Sequence, residues 1–186
     1  MAKIFVYSLI ILLATGCQTA LMKQLPKTDF EEQLYIDAEL NFAIKHPLNW
    51  KRIKTPVSSP GYRADTVQWQ IEDPQQQSSF AGSMLIRSLP SGDKNLPEQL
   101  SQFLENRPEL QSGQVNSFEH PAGQGLKLLG HDKNHGRLTI ALQGQQHDFI
   151  IALSCLNNKF DQLLPVFQDI VDSFSEIVRP PRILEK

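Results

Sequence analysis

Short apolar runs with a period of two, set between turn residues, recur along most of this chain. That pattern is the tightest constraint on its fold. Alternation gives each strand two distinct faces, and short links join neighbouring strands antiparallel. Leu40, Phe42 and Ile44 alternate with Asn41, Ala43 and Lys45; Pro47 ends the run and Trp50 opens a short continuation through Ile53. After a loop carrying Pro56, Pro60 and Gly61, Val67, Trp69 and Ile71 alternate with Thr66, Gln68 and Gln70. Asp73-Pro74, followed by glutamines and serines, reads as a turn, and Phe80 to Ser88 returns with Met84 and Ile86 on one face. Further strands are expected around Gln114–Phe118, Gly125–Leu129, Arg137–Gln143 and His147–Cys155. Gly144-Gln145-Gln146 is short enough to join the last two as a hairpin. Leu138, Ile140 and Leu142 then share a face with Phe149, Ile151, Leu153 and Cys155.

Two stretches change to a helical period. Leu96, Leu100, Phe103 and Leu104 form one stripe, with Asn95 and Glu98 at capping-box spacing, Pro97 in the first turn and Pro108 beyond the end. Phe160, Leu163, Leu164, Phe167, Ile170, Val171 and Phe174 form a second, longer stripe. Asn158 is placed to cap this helix and Asp161 to lie in its first turn, where a carboxylate suits the helix dipole. Pro165 sits mid-pattern, loses one backbone hydrogen bond, and is expected to kink or split the helix. The aromatic stripe reads as a core face packed on a sheet. Strands, helix, strands, helix make an α+β domain, an antiparallel β-sheet covered by helices.

The length of 186 residues suits one domain plus a tail. With 18 basic and 20 acidic side chains the net charge is −2, which argues against nucleic acid as a partner, since such binding needs a basic footprint. Residues 17–33 mix polar, charged and apolar side chains without a period and read as a tether, which would reach roughly 20–25 Å if flexible. The folded body is expected over residues 34–177. Residues 178–186, with Pro180-Pro181, read as a loose tail.

The start of the chain is an address. Lys3 precedes an apolar run from Ile4 to Leu13, broken by Ser8 and followed by Ala14-Thr15-Gly16-Cys17. A positive charge, about ten apolar residues and then small residues are the layout of a secretory signal over residues 1–16. The run is too short to span a bilayer. Its junction resembles the lipobox of bacterial lipoprotein precursors, although Ala14 stands where leucine is usual. That resemblance implies that Cys17 becomes the first mature residue, with a diacylglyceryl thioether and an N-acyl group such as palmitate. Three acyl chains would anchor the protein stably to a membrane. Gln18, in place of the aspartate that retains such proteins on the inner membrane, implies the periplasmic face of the outer membrane. With Cys17 lipidated, Cys155 stands alone in an apolar strand, where a buried and inert thiol is expected.

Three stretches carry a second resemblance. Phe42-Ala43-Ile44-Lys45-His46-Pro47-Leu48-Asn49-Trp50 is similar to the opening strand and Pro-x-x-Trp corner of the PsbP-like/DcrB-like family. Val67 to Asp73-Pro74 is similar to that family's next strand, and Phe167 to Ser173-Phe174 to its closing helix. Together they span about residues 36 to 177. The resemblance implies an α/β/α sandwich and no single activity, because fold alone does not license function.

Few residues carry a chemical signature. His131, Asp132 and His135 are candidates for a weak surface metal site between two strands, with Lys133 opposing a cation and glycines arguing against a helix. His147 belongs at the far end of its strand, so a His120–His147 pair is the only other candidate, and His46 falls in the Pro47–Trp50 corner. No nucleophile elbow, P-loop, HExxH or CxxC motif is present. The acidic pairs Glu31/Glu32 and Asp169/Asp172 read as solvated charge. No cofactor or bound metal is expected. The leading expectation is a non-catalytic binding or assembly module with an envelope protein partner. A small-ligand or metal-binding protein, or an enzyme with a pocket between sheet and helix, stands as the alternative.

Overall fold

A computed structural model describes residues 31–54, 64–72, 80–92, 95–105 and 113–179. The signal segment, Cys17 and Gln18 lie outside them, as do Pro56, Pro60, Gly61, Asp73-Pro74, Pro108 and the tail from residue 180. Ten strands and two helices are described: β1 (Glu32–Asp37), β2 (Phe42–Pro47), β3 (Lys51–Ile53), β4 (Thr66–Glu72), β5 (Phe80–Pro90), α1 (Leu96–Glu105), β6 (Gln114–His120), β7 (Gly123–His131), β8 (His135–Gln143), β9 (His147–Leu156), α2 (Asn157–Asp172) and β10 (Ser175–Glu176). They form not one sheet but two. A seven-stranded sheet runs β3-β4-β5-β9-β8-β7-β6 and a three-stranded sheet runs β1-β2-β10, with every pairing antiparallel.

The corner at Pro47 sends the chain from one sheet to the other. Trp50 donates its backbone N–H to the Pro47 carbonyl (3.1 Å), and its buried ring meets Phe167 of α2 edge-on, at 6.1 Å between centroids. The large sheet buries one face under α2 and the small sheet. Val67, Trp69, Met84, Ile86, Leu138, Ile140, Phe149 and Ile151 fill this main core. Its other face is covered by α1, where Leu100 and Phe103 meet Ala141 and Ile150 in a second, smaller core. Central strands β8 and β9 are therefore apolar on both sides, as a strand sandwiched between layers must be. The result is an α+β fold with α/β/α layering.

Several local expectations need correction. Strand β1 begins at Glu32, inside the segment read as tether. Its apolar residues Leu34 and Ile36 face outward, and Tyr35 faces the core against Trp69, 5.0 Å between centroids. The alternation is inverted, so it did not register as a core strand. Helix α2 begins at Asn157 with Leu156 at the N-cap and no side-chain cap. Asn158 lies inside the helix, and Asp161 falls just past the first turn. Asn157 instead ties the helix start to the β7–β8 turn, its N–H donating to Asn134 O and its Nδ2 to Asp132 O (both 2.9 Å). Pro165 does not split α2, which runs on to Asp172, because the packed stripe from Phe160 to Val171 holds the helix across the missing bond. By contrast Asn95 caps α1 as expected, its Oδ1 accepting the Glu98 N–H at 3.0 Å.

The close approach of α2 to the sheet depends on a missing side chain. A Cβ at Gly136 in β8 would overlap the base of the Phe160 ring at its Cγ, so only glycine admits the first turn of α2 at this depth. Ser173 closes the other end of the helix. Its hydroxyl donates to Ile170 O (2.7 Å) and accepts the Lys45 N–H (2.9 Å), joining α2 to β2.

Candidate functional site

The histidines, the only side chains that titrate near neutrality without help, go to separate places. His131, Asp132 and His135 share the β7–β8 turn but do not converge on a point. Asp132 Oδ1 accepts the N–H groups of Asn134 and His135 (both 2.7 Å) and Oδ2 pairs with Arg137 Nη2 (2.6 Å). The two N–H groups foremost, with Arg137 and His135 adding charge, hold the Asp132 carboxyl down at about 2. His135 Nδ1 lies 3.6 Å from Asp132, whereas His131 turns to Asn157 Oδ1 (3.4 Å) and meets the Phe160 ring edge-on. Asp132 thus builds the turn. Among the described residues no group of three His, Cys, Asp or Glu side chains is placed to hold a metal ion.

His120 and His147 do not pair either. They sit near one end of the main core with Phe174 between their surroundings. His120 Nε2 meets the Val171 carbonyl (2.9 Å) and its Nδ1 accepts the Ala122 N–H (3.0 Å), so it joins the end of α2 to the β6–β7 turn. His147 packs on Phe149, with Nε2 3.3 Å from Asn41 Nδ2 and Nδ1 3.6 Å from Glu176 Oε1. Asn41 takes the left-handed conformation that asparagine tolerates, with φ of 60°. The Asn41 and His147 residues belong to a three-element junction built around Glu176. That carboxylate accepts the successive backbone N–H groups of Gln145, Gln146 and His147, the last two at 2.9 and 2.8 Å. Beyond it, Arg179 is pinned through its backbone N–H and C=O to the Gln146 amide, so the segment read as a tail is held at least that far.

His46 is buried as expected of the corner. Nδ1 donates to the Pro47 carbonyl (2.9 Å), Nε2 faces Gln33 Nε2 (3.3 Å), and the ring packs against Trp69 and Tyr35. Burial disfavours the imidazolium and lowers its pKa, against a smaller opposing effect of the Pro47 hydrogen bond. A histidine with a lowered folded-state pKa contributes stability that is complete above its unfolded value and declines as pH falls below it. Urea unfolding should therefore show the fold weakening below about pH 6.5, with a smaller loss in His46→Gln, which cannot titrate there.

Several further polar groups are engaged within the fold. Burial pushes the Cys155 thiol up to about 12, leaving it an unreactive thiol at neutral pH. Asp148, buried in β9, accepts from Gln99 Nε2 of α1 and, at 3.4 Å, from the Ser91 hydroxyl, which fixes α1 over the sheet. Tyr35 donates its hydroxyl to Asp37 (2.8 Å), and burial followed by that carboxylate raises its pKa to about 12 against the pull of Arg52. The acidic pair Asp169/Asp172 is exposed, as is Glu31/Glu32.

What does stand out is an edge. Strand β1 pairs with β2 alone among the described strands, and its outward Leu34 and Ile36 are well exposed, with Leu48 beside the start of the strand. Sequence reading passed over this feature because it seeks apolar residues that face inward.

No family model matches the chain, and no curated protein matches it. Solved structures do. The cyanobacterial PsbP (CyanoP) of Synechocystis superposes with a TM-score of 0.58 at 12% identity, covering 82% of this chain and 96% of that one. The fold is PsbP-like. Fainter likenesses to the PsbP-like chain are a Pseudomonas aeruginosa protein of unknown function described as a putative regulator (TM-score 0.42, 14% identity, 81% and 99% covered) and LpqN of Mycobacterium tuberculosis, involved in cell envelope biogenesis (0.37, 13%, 81% and 92%). In this fold the Pro47–Trp50 corner and Phe174 have packing roles, Trp50 against Phe167 and Phe174 against Phe42 and Phe149.

Proposed function

We propose that this PsbP-like chain is a lipid-anchored module of a bacterial envelope that binds a protein partner and catalyses no reaction. The observation that carries the binding reading is the β1 edge with its exposed Leu34 and Ile36, which no described strand covers; the non-catalytic reading is supported by Asp132, Glu176, His46 and His120, which hold turns and element ends. The segment from Ile4 to Cys17 supports anchoring through acyl chains on Cys17, and Gln18 supports the outer membrane, periplasmic face. Among the described residues no helix is long and apolar enough to cross a membrane.

The test compares wild type with Cys17→Ser in the native envelope. Wild type is expected to incorporate labelled palmitate and sediment with outer membranes, and to be crosslinked to one recurring protein. Cys17→Ser should lose the label and most of the crosslink. Palmitate labelling that survives the substitution would sink the anchor, and an envelope that yields no specific crosslink in either form would sink the binding role.

A further inference from the structure

Among the described strands four edge the two sheets, and they are not alike. Strand β10 has two residues, and β3 has three, with Lys51 and Arg52 on it. Strand β6 is longer but polar, with Val115 its one exposed large apolar residue. Short edges, cations and polar side chains are the usual means by which a sheet avoids pairing with other chains. Strand β1 carries no cation, and its polar side chains, Glu32, Gln33 and Asp37, stand toward its ends. Its six residues pair with β2 in unbroken register from Glu32↔Pro47 to Asp37↔Phe42, without bulge, proline, lysine or arginine. On its outer face Leu34 and Ile36 are 60% and 59% exposed.

Charge selects what can lie along this edge. The strand is bracketed by Glu31 and Glu32 at one end and Asp37 and Glu39 at the other. The nearby cations lie away from the free side of the strand: Lys45, opposite Leu34 on β2, is 3.9 Å from Glu32, and Arg52 sits over the Tyr35 ring on the opposite face from Leu34. A second copy of the chain is a poor occupant. Antiparallel pairing of two β1 strands centred on Leu34, on Tyr35 or between them sets Glu31 or Glu32 opposite Asp37 or Glu39, and like charges across a strand pair are destabilising.

We infer that the free edge of β1 is a strand-addition site for an extended segment of an envelope partner, with apolar residues at alternate positions and Lys or Arg at both ends. Main-chain hydrogen bonds would hold the added strand, Leu34 and Ile36 would meet its apolar side chains, and the acidic ends would set its register. This rests on the binding-module reading and names the partner class.

The test uses the full chain purified from membranes in detergent and a fluorescent peptide, Lys-Lys-Val-Thr-Val-Thr-Val-Lys-Lys. Fluorescence anisotropy should show saturable binding, and hydrogen exchange should slow over Glu32–Asp37 and not over β6. Leu34→Lys with Ile36→Lys should weaken binding about tenfold or more at an unchanged melting midpoint, as should replacing the peptide's flanking lysines by glutamates. Absence of binding at millimolar peptide, protection elsewhere, equal binding of the glutamate peptide, or a dimer held through β1 would each overturn the inference. A crosslink dependent on Cys17 that survives any of these results would leave the module reading standing and locate its surface elsewhere.

Discussion

Phe42→Ala should destabilise the domain by about 3–5 kcal/mol, the usual cost of deleting a fully buried aromatic side chain. Phe42 is 0% exposed, and its ring lies 5.9 Å from Phe174, 6.4 Å from Phe149 and 6.0 Å from Tyr35 between centroids. These partners come from the end of α2, the large sheet and the edge strand of the small one. The cavity would therefore open where three layers meet, and no single element could shift to close it. Against a typical domain stability of about 5–15 kcal/mol, this loss is enough to bring unfolding near to physiological conditions. Urea denaturation of wild type, Phe42→Leu and Phe42→Ala checks it, with the leucine variant between the other two. A loss under about 1 kcal/mol for alanine, with an unchanged denaturant slope, would show that the small sheet is not part of the cooperative unit.

Glu176→Ala should cost about 2–4 kcal/mol, because one carboxylate serves three donors at once. The backbone N–H groups of Gln145, Gln146 and His147 all point at it, and the side chain is 4% exposed. Removing it leaves three neighbouring backbone donors without their shared acceptor and frees β10, whose ladder to β2 has only two pairs. Glu176→Gln should recover only part of the loss, since its amide places an NH₂ group among donors. Chemical denaturation measures the energy, and hydrogen exchange of the Gly144–His147 turn shows the site. Wild-type exchange at that turn in Glu176→Ala would refute this role for the carboxylate.

The contrast between Phe42 and Glu176 shows which parts of the domain are legible in one dimension. Phe42 lies in an alternating run, so its burial follows from local period alone. The same holds for Trp69, Ile86, Ile140 and Ile151, and for the stripes of α1 and α2, where chain geometry places every second or every third to fourth side chain on one face. The Asn95 cap is equally local, because its donor is three residues away. Glu176 carries no such mark. It lies about thirty residues from the turn that it closes, and only the packing of β10 beside β2 brings them together.

The candidate site was less legible than the fold, for a related reason. Spacing drew attention to His131, Asp132 and His135, yet the Asp132 carboxylate is occupied by the Asn134 and His135 N–H groups and Arg137, and His131 leans on Phe160. Strand β1 escaped notice because its outward side chains are the greasy ones. The α+β class and most strand faces were decided by the sequence by itself, since each depends on neighbours along the chain. The division into two sheets, the uninterrupted α2 at Pro165, the Glu176 junction and the β1 edge, which no other described strand covers, were decided by tertiary structure alone. They depend on which surfaces meet, and that is settled by the packing of residues far apart in the chain.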